Sequence, residues 1–343
     1  MGRHLILHAG MPRAGSSSLQ EVLYHYRDRL AAEGLLYPTM DGTLLGTDDA
    51  SQLYNHRALL RSAKRLWQHR AFRRLHDDVA RQITASAAST VILSYEGWWD
   101  PNNIRPLRRS LARIRAGTEI DSVEIAVIVR DPVSFLRSIY KLDVLHGRTL
   151  ETFENYWPAR LGDPRLRYGS IETVLARDLP EARLHVMSFQ RLSADGSLVG
   201  NFMAAIGEEG LLRRAALTTL EQHRYWGGDY FTDTFVSMFL FCARHMGLAP
   251  ARRHRIALNS IITATSARPE LAQEIASLVI PASETAIRSI EASCRDEAEA
   301  FFRRHLNQDF RHGGEAGTGQ SIIADGSALG CALLSDLGPL AGR

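Results

Sequence analysis

The short apolar run His4–His8 (HLILH) leads directly into Gly10-Met-Pro-Arg-Ala-Gly-Ser-Ser-Ser18, and apolar residues at helical spacing follow at once. A run bounded by Gly10 and Pro12 suits a buried parallel strand that ends at a loop. Leu19, Val22, Leu23, Tyr26 and Leu30 then place one face of a helix of about four turns against a sheet, and Gly34 stops it. Strand, loop and helix in that order bring backbone N–H groups and the helix dipole to one point, which suits an anion. Gly10 and Gly15 let the backbone curl with its amides inward. Arg13 can reach a phosphate oxygen, and the hydroxyls of Ser16, Ser17 and Ser18 can donate from the first turn. The plainer alternative is an ordinary strand-to-helix turn capped by Ser16 or Ser17.

Similar short runs recur at Thr90–Ser94, Val123–Val129 and Leu184–Met187, with helix-like stretches between them. The alternation predicts an α/β chain: a P-loop-like three-layer sandwich with a central parallel sheet, helices on both faces and a helical C-terminal region. From about residue 225 to 310 no strand pattern occurs, and spacings such as Leu271, Ile275, Leu278 and Ile287, Ile290 predict a helical cap over the site. Residues 1–310 read as a single domain, and the Gly- and Ser-rich 311–343 as a loosely ordered tail. With 45% hydrophobic and 23% charged residues the chain can bury a sizeable core. Its net charge of +3 points to no broad nucleic-acid or membrane surface, while local basic pockets stay open. Cys242, Cys294 and Cys331 have no C-x-x-C or Cys/His spacing, so no metal is expected and a reducing compartment fits. Met1–Leu7 is too short for a signal peptide or membrane span, which favours a cytoplasmic protein.

A second constellation begins where Val123–Val129 ends in Arg130-Asp131-Pro132. Asp131 is a good N-cap and Pro132 suits the first helical position, so a helix starts immediately after Arg130. Ser138 lies about 10 Å along that helix from Asp131 at about 1.5 Å per residue. Arg130 could fold back so that guanidinium and hydroxyl grip one phosphate. The plain alternative is an ion-paired arginine and a solvated serine.

The loop differs from the nucleotide-triphosphatase pattern, which requires Lys after the second glycine; here that residue is Ser16, and the basic residue, Arg13, sits inside the loop. Pro12, Arg13, Ala14, Gly15, Ser16 and Ser17 resemble the 5′-phosphosulfate loop of the sulfotransferase family, approximately P-K-x-G-T-T/S. Arg130 and Ser138 resemble that family's 3′-phosphate element, R-x7-S. Ser18-Leu19-Gln20 and Leu30-x3-Gly34-x2-Tyr37-Pro38 resemble its bacterial members. The resemblance implies 3′-phosphoadenylyl sulfate (PAPS) as co-substrate. It also implies sulfuryl transfer to a hydroxyl or amine of a small-molecule, carbohydrate or lipid acceptor, with Arg13 nearest the leaving phosphate. Arg in place of the usual Lys keeps the charge but cannot act as a proton donor.

For the acceptor's proton, Glu96 follows the strand Thr90–Ser94 at the edge where the other residues collect, and many relatives carry a carboxylate in a similar segment. His8 is the second candidate base, since imidazole titrates near neutrality. Trp98 and Trp99 could wall an acceptor or simply fill the core. The rival reading is a phosphate-loop kinase or nucleotide-binding protein without sulfuryl transfer. It lacks its Lys after Gly15 and a clear acidic magnesium ligand. A third is a binding module that kept the fold and lost turnover.

Overall fold

The computed structural model describes residues 2–12, 14–45, 53, 55–64, 69–145, 148–149, 151–194, 197–217, 282–308 and 310. They group into two compact units, one holding 2–130, 163–217 and 296–310 and the other 131–162 and 282–295. Arg13, most of the expected cap before residue 282 and the tail 311–343 lie outside the described residues.

The first unit is built on five parallel strands, β1 (Arg3–Gly10), β2 (Leu35–Leu36), β3 (Thr90–Ser94), β4 (Ile120–Val129) and β5 (Ala182–Ser188), ordered β2-β3-β1-β4-β5. Parallel strands need crossover helices, and these cover both faces of the sheet, giving the expected three-layer α/β architecture. Side chains alternate across each strand. Ile6, Ile92, Ala126 and Ile128 point to one face, where they form a core with Leu19, Val22 and Leu23 of helix α1 (Ser16–His25) and with Phe202 and Met203. Leu5, Leu7, Val91, Leu93, Ile125 and Val127 take the alternate positions and are equally buried.

The helix expected to run through Leu30 is interrupted at Tyr26 (φ −105, ψ 16), after which a short helix spans Arg27–Ala32. Backbone bonds Tyr26 N→Val22 O (3.1 Å) and Leu30 N→Tyr26 O (3.0 Å) keep the four-residue spacing through the break. The apolar period is therefore undisturbed, and the sequence gives no sign of the interruption. Gly34, at φ 94, ends the pair in the left-handed region that glycine tolerates.

In the second unit a helix spans Pro132–Leu145. The Asp131 carboxylate accepts from the Ser134 backbone N–H at 2.9 Å, and the Asp131 carbonyl accepts from Phe135 N at 2.9 Å, the N-cap expected from sequence. Within the same unit Asp143 is buried and fully engaged by the Tyr156 hydroxyl (2.7 Å), Arg160 (2.9 Å) and Arg148 (3.0 Å).

Candidate functional site

The strand order singles out one place on the sheet for a candidate site. From β1 the chain crosses toward β2 and β3; from β4 it crosses the other way, to β5. Neighbouring β1 and β4 thus send their connections in opposite directions, the switch point beyond whose strand ends open α/β sheets commonly bind ligands. Gly10 is in register with Ile128, and Met11 N donates to Ile128 O at 2.9 Å, so the loop leaves the sheet level with Arg130. A Cβ on Gly10 would lie 2.9 Å from the Ile128 carbonyl oxygen. The loop's first glycine is explained by this close backbone approach.

The loop closes with Ala14 N donating to Met11 O at 3.2 Å, and Gly15 adopts φ 77, ψ 6 as the N-cap of α1. No side chain caps α1, and its first turn carries no acidic residue. The turn capped by Ser16 or Ser17 is thus not formed: Ser16 is buried inside the first turn, Ser17 is exposed and Ser18 half-buried. The first-turn amides therefore have no side-chain cap, the condition under which a helix N-terminus can take an anion. Gly15 serves a second purpose, because a Cβ there would lie 2.4 Å from Leu198 Cδ1.

Arg130, directly after β4, is held on both sides of its backbone. Its N–H donates to the Met11 sulfur at 3.3 Å, and its carbonyl accepts from the buried Tyr168 hydroxyl at 2.9 Å. The guanidinium lies over the Phe189 ring, 3.7 Å from the centroid, at the end of β5. Stacking of this kind holds the planar fork against the ring. Ser138, the partner expected from sequence, is half-buried on Pro132–Leu145 and belongs to the second unit.

Glu96 opens a short 3₁₀ turn (Glu96–Trp99) directly after β3. Gln20, one turn into α1 from Ser16 and buried, brings this carboxylate to the loop's helix. Its amide nitrogen lies 3.0 Å from Ser94 Oγ and 3.5 Å from Glu96 Oε2, the latter at the limit of hydrogen-bond reach. Ser94 Oγ is also 2.7 Å from His8 Nδ1. With Gln20 donating to that hydroxyl, the hydroxyl donates to Nδ1, which leaves the proton on Nε2, an atom buried with no hydrogen-bond partner among the described residues. Burial lowers the His8 pKa to about 3, and the ring packs edge-on against Phe202 at 5.2 Å. The structure therefore makes His8 a neutral core residue near neutral pH.

Trp98 and Trp99 are both buried, and Trp99 sits among Tyr168 and Phe301 and donates to Arg165 O at 3.3 Å, which is core packing. Gln20, Ser94, Tyr168 and Phe189 were not among the residues expected from sequence to stand around these groups. Only Gln20 left a signal, a polar side chain on the buried face shared by Leu19 and Leu23. Among the described residues no group of three or more His, Cys, Asp or Glu could hold a metal ion, and no helix is long and apolar enough to cross a membrane.

No family model and no curated protein matches the chain. Among solved structures it is similar to one described as "Sulfotransferase Domain from the Curacin Biosynthetic Pathway", at 13% identity and a TM-score of 0.32, covering 78% of this chain and 98% of that one. At that identity and TM-score the likeness carries no argument about this chain's activity.

Proposed function

We propose that the protein is a PAPS-dependent sulfotransferase whose site lies at the crevice between β1 and β4. The observation that carries this reading is the uncapped first turn of α1, entered through Gly15 and set level with Arg130 at the switch point of the sheet. These features fit a nucleotide bearing anions at two separated points. The amides and hydroxyls of Ser16, Ser17 and Ser18 would hold the phosphosulfate end, together with Arg13. Arg130 would hold the 3′-phosphate.

PAPS supplies an activated sulfuryl group. Glu96 takes the acceptor's proton as the new oxygen–sulfur (or nitrogen–sulfur) bond forms and the sulfur–phosphate oxygen bond breaks, which releases 3′,5′-ADP. Gln20 orients the carboxylate. The positive end of α1 and Arg13 meet the charge that develops on the leaving phosphate. His8 is assigned to structure, because protonating it works against its burial. The acceptor is a small-molecule, carbohydrate or lipid-borne group.

The test is titration of the full chain with 3′,5′-ADP, 5′-ADP and ATP with Mg²⁺ under identical conditions, repeated on Arg130→Ala. Preference for the 3′-phosphorylated nucleotide, lost in the variant, supports the reading. Preference for ATP with Mg²⁺ replaces it with the kinase-like alternative.

A further inference from the structure

The modest net charge of the whole chain conceals a local imbalance. Between residues 57 and 115 there are thirteen arginines and lysines against four carboxylates, whereas the chain as a whole carries only +3. Most of these cations fall on three helices, Arg57–Lys64, His69–Ala85 and Ile104–Arg115, which pack against one another within the first unit.

On each helix the cations share the outward face. In the first, Arg57, Arg61 and Lys64 are exposed while Leu59, Leu60 and Ala63 are buried, a spacing of four and then three residues that marks one side of a helix. In the second, Arg70, Arg73 and Arg74 are exposed opposite buried Leu75, Val79 and Ile83. In the third, Arg105 and Arg108 are exposed opposite buried Leu107, Leu111 and Ile114. The three faces adjoin. Arg109 of the third helix donates to Ala63 O of the first at 3.4 Å, and Arg113 binds Asp77 of the second, with Nε at 2.9 Å.

Local carboxylates neutralise only part of this surface. Asp77 is taken by Arg113 and Asp78 by Arg81 at 2.8 Å. The eight exposed cations named above on the three helices have no carboxylate within ion-pair distance among the described residues. Among the described residues, those exposed between them include Ala71 and Ala112 and no aromatic side chain on which a nucleobase could stack. The helices are about 12, 25 and 18 Å long at 1.5 Å per residue, so the cations spread over a distance far larger than one small ligand.

From this we infer that the outward faces of these three helices form a docking surface for an anionic phospholipid bilayer. Many unpaired guanidinium forks on adjoining helix faces match a plane of phosphates, and clusters of basic residues on helices of this kind are drawn to negatively charged leaflets. Among the described residues no large apolar side chain is exposed on these faces, so attachment through their cations is electrostatic, hence reversible by salt. The surface begins beside the candidate site. Tyr95, next to Glu96, has its pKa raised by burial and by Glu96, and Arg57 and Arg61 pull against that rise.

The test is co-sedimentation of the full chain with vesicles of phosphatidylcholine alone and of phosphatidylcholine mixed with phosphatidylglycerol, at low and high salt, with dextran sulfate as a soluble polyanion. Binding to the anionic vesicles only, weakened by salt, is expected. The triple variant Arg61→Glu, Arg74→Glu, Arg108→Glu, one change on each helix, lowers the affinity at least about tenfold. Because all three side chains are exposed, its melting temperature and its affinity for 3′,5′-ADP stay at the parent's values. Vesicle binding unchanged in the variant, no vesicle binding by the parent, or binding to dextran sulfate without vesicles overturns the inference.

Discussion

Glu96 and His8 are joined through Gln20 and the Ser94 hydroxyl, and substitutions at the two ends of that chain separate their roles. Glu96→Gln keeps the shape and removes the proton acceptor, so kcat for sulfuryl transfer falls by about 10² to 10⁴ while affinity for 3′,5′-ADP is unchanged. His8→Ala leaves the pH profile of kcat in place and lowers urea stability, since it opens a cavity beside Phe202 and takes away the acceptor of the Ser94 hydroxyl proton. A reversed result would return the base to His8. At the other side of the crevice, Arg130→Ala weakens 3′,5′-ADP by about 1.5–3 kcal/mol, roughly tenfold to over a hundredfold, and leaves 5′-ADP nearly unaffected, as isothermal titration would read. The residue types of this site were legible in sequence where their position in a strand or turn fixed them, as with Gly10, Gly15 and Arg130. Tyr168 was not legible. It reaches Arg130 from 38 residues away through tertiary packing, which no local pattern encodes.

At the scale of elements, the turn from β1 into α1 depends on Gly15 for two independent reasons. Its left-handed φ of 77 costs an alanine about 1–2 kcal/mol. The added Cβ also collides with Leu198 at 2.4 Å. Gly15→Ala is therefore expected to lower the urea midpoint and weaken 3′,5′-ADP. In a double-mutant cycle with Leu198→Ala the collision is relieved and the backbone cost remains, which the two unfolding free energies measure directly. The strands were legible because a parallel sheet covered on both faces demands continuous apolar runs. β3 occupies the very span expected, and β1, β4 and β5 each extend one or more residues beyond their runs. β2 escaped notice because two residues, Leu35–Leu36, are too few to show a period. The uncapped start of α1 also had to be seen in the structure, since serines at that spacing are equally able to cap.

At the scale of the molecule, three histidines among the described residues are kept neutral by burial: His8 at about 3, His56 at about 4 and His76 at about 4. In His56 burial outweighs the backbone hydrogen bonds at Pro38 O (2.9 Å) and Ser94 O (3.3 Å), which pull its pKa the other way. Each folded pKa is below the unfolded value of 6.5, so the unfolded chain binds more protons and stability rises with pH through this window. The contribution is complete above about pH 6.5 and declines as pH falls toward the folded values, by on the order of 2 kcal/mol per histidine at about pH 5. Urea unfolding followed from about pH 7 to about pH 5 should show this loss, and His56→Gln should flatten it. The order of the sheet has a further consequence, for folding kinetics. β1 is the central strand, yet its register partners are Thr90 on one side and Ser122 on the other, both far along the chain. Leu5, Ile6 and Leu7 therefore stay unsatisfied until two long loops have closed, and a chain diluted from denaturant carries an open, sticky strand through its slowest step. Refolding yield should fall as protein concentration rises, because at that stage another molecule's strand competes with β3 and β4 for the same edge.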